Sequence, residues 1–131
     1  MDILAKLAPW RPQMLAILRI MVALLFLEHG TVKLLGFPGP GPATMTSLLY
    51  AAAVIEIVGG ALVAVGLFTR LASFIMSGEM ACAYFISHAP QNFYPVLNRG
   101  DAAILYCFIF LYIAVAGAGA WSLDRTLRHA D

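Results

Sequence analysis

Charge is what this chain has least of. Only 11% of its 131 residues are charged and 62% are hydrophobic, whereas a soluble domain carries about 25% charged residues. So few polar side chains cannot cover a soluble surface, and a mean hydropathy of +0.86 places the single domain 1–131 in a membrane. A net charge of +1 supplies no basic face, which excludes nucleic acid as a partner. Cysteine is scarce as well. Cys82 and Cys107 stand alone, without a CxxC pair, in apolar runs where a thiol acts as a small buried hydrophobe. No flavin, nicotinamide, haem or iron–sulfur motif occurs, so the chain brings no electron carrier of its own. Period-2 alternation is also missing. Hydrocarbon offers no water to an open sheet edge, so the spans must be helical.

What the chain does have is four apolar runs, at about 13–35, 44–68, 71–88 and 101–121. Each matches the roughly 20 residues a helix needs to cross about 30 Å of hydrocarbon. Pro9 and Pro12 mark the start of the first, and Gly36–Pro42 (GFPGPGP) breaks it from the second, because proline lacks a donor and glycine lacks restraint. Ala89–Gly100 separates the third run from the fourth. The expected fold is all-α, an integral membrane antiparallel four-helix bundle with short connections. The first run contains Arg19 and Glu28 and no small-x-small cleavage site follows, so it reads as a span and not as a signal peptide. Met1–Arg11, with Trp10, reads as an interfacial segment, and Ser122–Asp131 as a short amphipathic turn on the same side. Lys6, Arg11, Arg70, Arg125 and Arg128 fall on the side holding both termini, against Lys33 and Arg99 opposite. This bias predicts a multi-pass protein of the cytoplasmic membrane with both termini in the cytoplasm.

Ionisable residues inside the spans are the candidates for chemistry, since intramembrane charge is costly, roughly 2.5–3.5 kcal/mol per group on insertion scales. By position along their helices, Arg19, Glu56 and Glu79 are expected in one layer about 6 Å thick at 1.5 Å per residue. Two carboxylates beside one guanidinium leave one negative charge over, so Glu56 and Glu79 are expected to titrate as a coupled pair. Such a trio suits a proton relay or a donor to a quinone oxygen, and equally a polar clamp that fixes helix register. Arg19, Phe26, Gly30 and Lys33 fall within about 40° of one line on the first helix, a stripe facing the bundle interior, whereas Glu28 points the other way. A second polar group gathers at the far end: His29, Lys33, His88, Asn92, Tyr94, Asn98, Arg99 and Asp101. Lys33 is expected to pair with Asp101. His29 and His88 lack metal-binding spacing and read as ordinary hydrogen-bonding histidines, so no metal is expected. Residues 91–95 are either a lid over the bundle mouth or a plain loop. Gly59, Gly60, Gly66, Gly117 and Gly119 read as sites of close helix packing.

The run Arg19…Phe26…Gly30…Lys33 before a Gly/Pro loop resembles the first helix of the DoxX family of small four-helix membrane proteins. Three later segments extend the resemblance over about 13–124: Glu56-Ile57-Val58-Gly59-Gly60 to Gly66-Leu67-Phe68-Thr69-Arg70, then Glu79–Ala83, then Asn98–Ala103 ending in Gly117-Ala118-Gly119 and Ser122-Leu123-Asp124. Aspartate at 101, where relatives more often carry glutamate, and Glu28-His29 before Gly30 depart from the family pattern. The resemblance implies an oxidoreductase component, linked in relatives to thiosulfate:quinone oxidoreduction and to quinone or catechol stress, working with a redox partner subunit. Three readings follow. The chain is a redox-associated subunit binding a quinone or similar small molecule through Arg19, Glu56 and Glu79, a proton-coupled transport module, or a structural subunit. A homodimer would bury more surface on so thin a bundle.

Overall fold

Proline and glycine punctuate the helices where the sequence places them. In a computed structural model, which describes residues 2–129, the described chain is helical without strands. A 3₁₀ segment, Ile3–Trp10, leads into α1, Arg11–Leu35, with Pro12 in the first turn where its missing N–H costs nothing. Gly36 ends α1 at φ 64°. Helix α2 is Ser47–Val65; its first turn is capped by Thr46 Oγ1, which accepts from Leu49 N–H at 3.2 Å. Helix α3, Thr69–Ala83, continues through a π-helical turn, Tyr84–His88. A short α4, Pro95–Asn98, precedes α5, Asp101–Ala116, and α6, Leu123–Leu127, closes the described chain. The interfacial segment and the terminal turn expected from the sequence extend to Met1, Ala130 and Asp131, which lie outside the described residues.

The second and fourth helices are shorter than the apolar runs that predict them, whereas α1 and α3 with its π-helical turn span theirs. The second run stops at Val65, and the fourth at Ala116 instead of near Trp121. The reason for the second difference is local. Gly117 and Gly119 take φ of 91° and 76°, a conformation open to glycine and costly for other residues, so the chain leaves the helix there. Both act as helix stops, and Gly119 also makes the close packing expected of it, a Cβ there lying 2.7 Å from the Pro12 carbonyl oxygen. α1 with its 3₁₀ lead and α2 are each long and apolar enough to cross a membrane, and α5 is a shorter apolar helix.

α1 packs on α2, α3 on α5, and α2 on α3. Gly30 makes the first of these contacts close: a Cβ there would lie 2.9 Å from both the Ala53 carbonyl oxygen and Glu56 Cβ. Small residues allow such approach where lipid removes the hydrophobic drive between helices and van der Waals contact must supply the attraction. Phe26, Val63, Met76, Phe110 and Ile113 are fully buried at the centre. The Phe26 ring stands edge-on to Tyr106 and Phe110, at 5.3 and 5.0 Å between centroids. Outside, Leu25, Leu48, Phe74, Leu105 and Phe108 are exposed. An apolar surface around a core holding Arg19 and Glu56 is the arrangement lipid selects.

Candidate functional site

Arg19 and the glutamates do not share a layer. The Arg19 guanidinium donates to the carbonyls of Ala118, Ala120 (3.2 Å) and Trp121 (2.9 Å), the segment where the backbone has left α5. A Cβ on Gly66 would lie 3.2 Å from its Cζ. Glu56 stands ten positions before Gly66 on α2, so about 15 Å of helix separates the two levels. The expected trio is thereby corrected. Arg19 is fully buried, and its donors satisfy carbonyls that would otherwise be orphaned. Arg70 does the same from outside, donating to Ala114 at 3.1 Å and to Val115. Asp124 completes this end, accepting from Phe68 N–H at 2.8 Å and Thr69 N–H at 2.9 Å and so capping α3. Burial pushes the Asp124 carboxyl up, but the Thr69 and Phe68 hydrogen bonds and the Arg128 charge outweigh it, holding the group below its usual value.

The cation that reaches the glutamates is Lys33. Its Nζ lies 2.5 Å from Glu56 Oε1, with Glu56 only 1% exposed and Lys33 23% exposed. This replaces the expected pairing with Asp101, which sits exposed at the start of α5. The geometry follows from the close Gly30 contact. Lys33 is one turn beyond Gly30 on the same stripe, and its long stem bends back to the carboxylate while staying against apolar surface. Glu79 comes from α3 within side-chain hydrogen-bonding reach of Glu56. Glu56 Oε2 and Glu79 Oε2 are both buried with no donor among the described residues. Two carboxyls can bond each other only when a proton lies between them.

This cluster lines a cleft of about 340 Å³ bordered also by Phe26, His29, Cys82, His88, Arg99 and Tyr106. The sequence-predicted residues Phe26, His29, Lys33, Glu56, Glu79 and His88 therefore meet in one place, with Gly30 behind Glu56; Arg19 and Asp101 lie elsewhere. His88 Nδ1 is 2.9 Å from the Asn98 carbonyl and its ring stacks on Tyr84, while His29 stands edge-on to Tyr106. No group of three His, Cys, Asp or Glu side chains able to hold a metal ion occurs among the described residues. Cys82 is exposed at the cleft rather than buried; Cys107 is half-buried, its carbonyl accepting from Ser77 Oγ at 2.7 Å.

The family model for DoxX matches residues 14–89, from the start of α1 through the π-helical turn. The chain belongs to the DoxX family. Among relatives of this DoxX protein, an "Uncharacterized protein" of Haemophilus influenzae is 49% identical over 92% of this chain and 95% of its own length. "Uncharacterized membrane protein Rv3486" of Mycobacterium tuberculosis is 32% identical, covering 88% of this chain and 82% of its own. "Inner membrane protein YphA" of Escherichia coli is 31% identical over 88% and 91%. No solved structure matches the chain. The DoxX match contains Lys33, Glu56, Glu79 and His88, and also Arg19. It stops before Tyr106, the aromatic wall that α5 adds and that sequence reasoning missed. The signal was present: Ala103, Tyr106 and Phe110 are spaced i, i+3, i+7, one face of α5.

Proposed function

We propose that this DoxX membrane protein is a redox-associated subunit that binds a quinone, or a similar flat carbonyl compound, in the Lys33/Glu56/Glu79 cleft. In this reading α1, α2, α3 and α5 form an antiparallel four-helix bundle across the cytoplasmic membrane, with both termini on the cytoplasmic side. The lysine and arginine bias between the two ends supports that orientation, and the relative named as an inner membrane protein supports the compartment.

The single observation that carries the proposal is a buried Glu56 beside the half-buried Glu79, with one lysine, lining an aromatic-walled cleft. A volume of about 340 Å³ suits one ring-sized ligand. Tyr106, backed by the buried Phe26, supplies an apolar face for the ring, and Lys33 or a proton held between Glu56 and Glu79 supplies the donor for its oxygen. Reduction of a quinone to a quinol consumes two electrons and two protons. The carboxyl pair would deliver one proton to the near ring oxygen and solvent at the cleft mouth the second to the far one, while both electrons come from a separate electron-donor protein, the redox partner subunit. Arg19 supports the bundle and does not touch the ligand.

The test is calorimetric titration of a short-chain benzoquinone analogue into the nanodisc-embedded protein. Saturable binding, weakened at least tenfold in Glu56→Gln and Glu79→Gln, is expected. Absence of saturable binding in the unmodified protein would overturn the proposal. Proton-linked solute uptake by proteoliposomes without quinone binding would place the same cleft in a transport module instead.

A further inference from the structure

The other end of the molecule holds a second built pocket. Ala120 N–H donates to the Pro12 carbonyl at 3.0 Å, and a Cβ on Gly119 would lie 2.7 Å from that same oxygen. The turn after α5 is thus pressed against the first turn of α1. Beside this contact opens a pocket of about 300 Å³ whose two charged lining residues, Arg11 and Arg125, are both cations. Arg11 begins α1, and the Arg125 backbone is fixed by Ser122 Oγ at 3.2 Å. The remaining wall is largely apolar, formed by Leu15 and Ala116 with the amphipathic ring of Tyr112.

Depth sets what can reach this pocket. The 3₁₀ segment that precedes Arg11 exposes Ile3, Leu4, Leu7 and Trp10. A tryptophan next to such an apolar segment, at the start of a membrane-spanning helix, seats at headgroup level. The pocket opens at that same level.

We propose that this pocket binds the phosphate diester of an anionic phospholipid, with Arg11 and Arg125 on the phosphate oxygens and the acyl chains running along Leu15, Ala116 and Tyr112. A guanidinium fork matches phosphate geometry, and basic pockets between helices at the membrane surface take such headgroups. The apolar half of the wall selects a lipid over a free phosphate ion. The inference needs only a membrane-embedded chain and does not depend on quinone binding.

The experiment embeds the protein in nanodiscs of equal parts phosphatidylglycerol and phosphatidylcholine and identifies lipid retained on it by native mass spectrometry. One phosphatidylglycerol is expected to be retained, preferred at least about fivefold, as a single interfacial arginine at ~1 kcal/mol implies. The preference should vanish in R11A/R125A and persist in R128A, which removes a cation from the same end but outside the pocket. Equal retention of both lipids by the unmodified protein would overturn the assignment, as would an undiminished preference in R11A/R125A. Displacement of the lipid by excess inorganic phosphate would also overturn it, by identifying a free-anion site. If the double variant fails to insert, a photoreactive phosphatidylglycerol decides on the unmodified chain. Crosslinks at the α1 start and α6 support the proposal, and crosslinks elsewhere refute it.

Discussion

Lys33 and Glu56, on successive helices, meet at 2.5 Å with the carboxylate 1% exposed, so the acid half of the ion pair is shielded while the ammonium keeps an edge at the cleft. Removing one partner from such a pair leaves a stranded charge, which costs about 3–5 kcal/mol when burial is complete. Lys33 keeps some exposure, so Lys33→Met is expected to cost on the order of 2 kcal/mol. Lys33→Met/Glu56→Gln should recover much of that loss. Thermal unfolding of Lys33→Met, Glu56→Gln and the double variant in detergent gives the coupling energy. Additive losses would show that the pair is not coupled.

Arg19 and Glu56 are expected to fail differently. Arg19→Leu should lower the unfolding temperature, because the carbonyls of Ala118, Ala120 and Trp121 lose their donor, at roughly 1–3 kcal/mol for each buried group left unsatisfied. The fraction that remains folded should bind the quinone analogue with unchanged affinity. A tenfold affinity loss in folded Arg19→Leu protein would return Arg19 to the ligand site.

Asp124 gives a pH signature outside the spans. Its folded value lies below the usual 3.8, so the unfolded chain binds the proton more readily than the folded one. The contribution to stability is complete above the unfolded value and is lost as pH falls through the lower, folded value. Unfolding temperature measured against pH should therefore drop on the acid side of pH 4 in the unmodified protein and drop less in Asp124→Ala. At neutral pH that variant should already be about 1 kcal/mol less stable, the usual worth of an N-terminal cap. Parallel acid limbs for the two proteins would contradict the cap.

Two glycines should answer alanine with opposite signs. At Gly30 a methyl meets Ile57, Glu56 and the Ala53 carbonyl within 3 Å, so Gly30→Ala must spread α1 from α2 and should cost about 1–3 kcal/mol. Nothing lies within 4 Å of a Cβ on Gly78, which is inside α3. Gly78→Ala should stabilise by roughly 0.5–1 kcal/mol through lost unfolded-state freedom. Unfolding temperatures measured side by side decide both.

Helical character, membrane residence and the family were legible in the chain because scarcity of charge and the length of apolar runs leave few alternatives. Most of the cleft was legible too, since Phe26, Gly30 and Lys33 share a helical stripe and Glu56 and Glu79 are intramembrane acids. The partners were not. Counting depth along each helix puts Arg19 level with the glutamates only if every span starts at one level, whereas Gly30 packs on Glu56 and Gly66 lies beside Arg19, which sets the start of α1 well below the end of α2. Once α5 stops at Ala116, the following carbonyls fall where Arg19 reaches them. The sequence held the sign in Gly117-Ala118-Gly119, but two glycines inside an apolar run suit a helix–helix contact as well as a stop. Lys33 was misassigned for the opposite reason. Its Cα lies near the mouth, and only the bend of its side chain back along the helix brings the charge down to Glu56.

At 16 residues, α5 is about 24 Å long, short of the roughly 30 Å hydrocarbon thickness. A span that ends early would ordinarily present bare peptide oxygens to oil. Here side chains rooted in other helices, Arg70 and Arg19, take the place of the missing turn's amide donors, so an apolar helix can stop early without stranding its carbonyls. The cost is interdependence: the turn that follows α5 keeps its carbonyls satisfied only while α1 holds Arg19 in place.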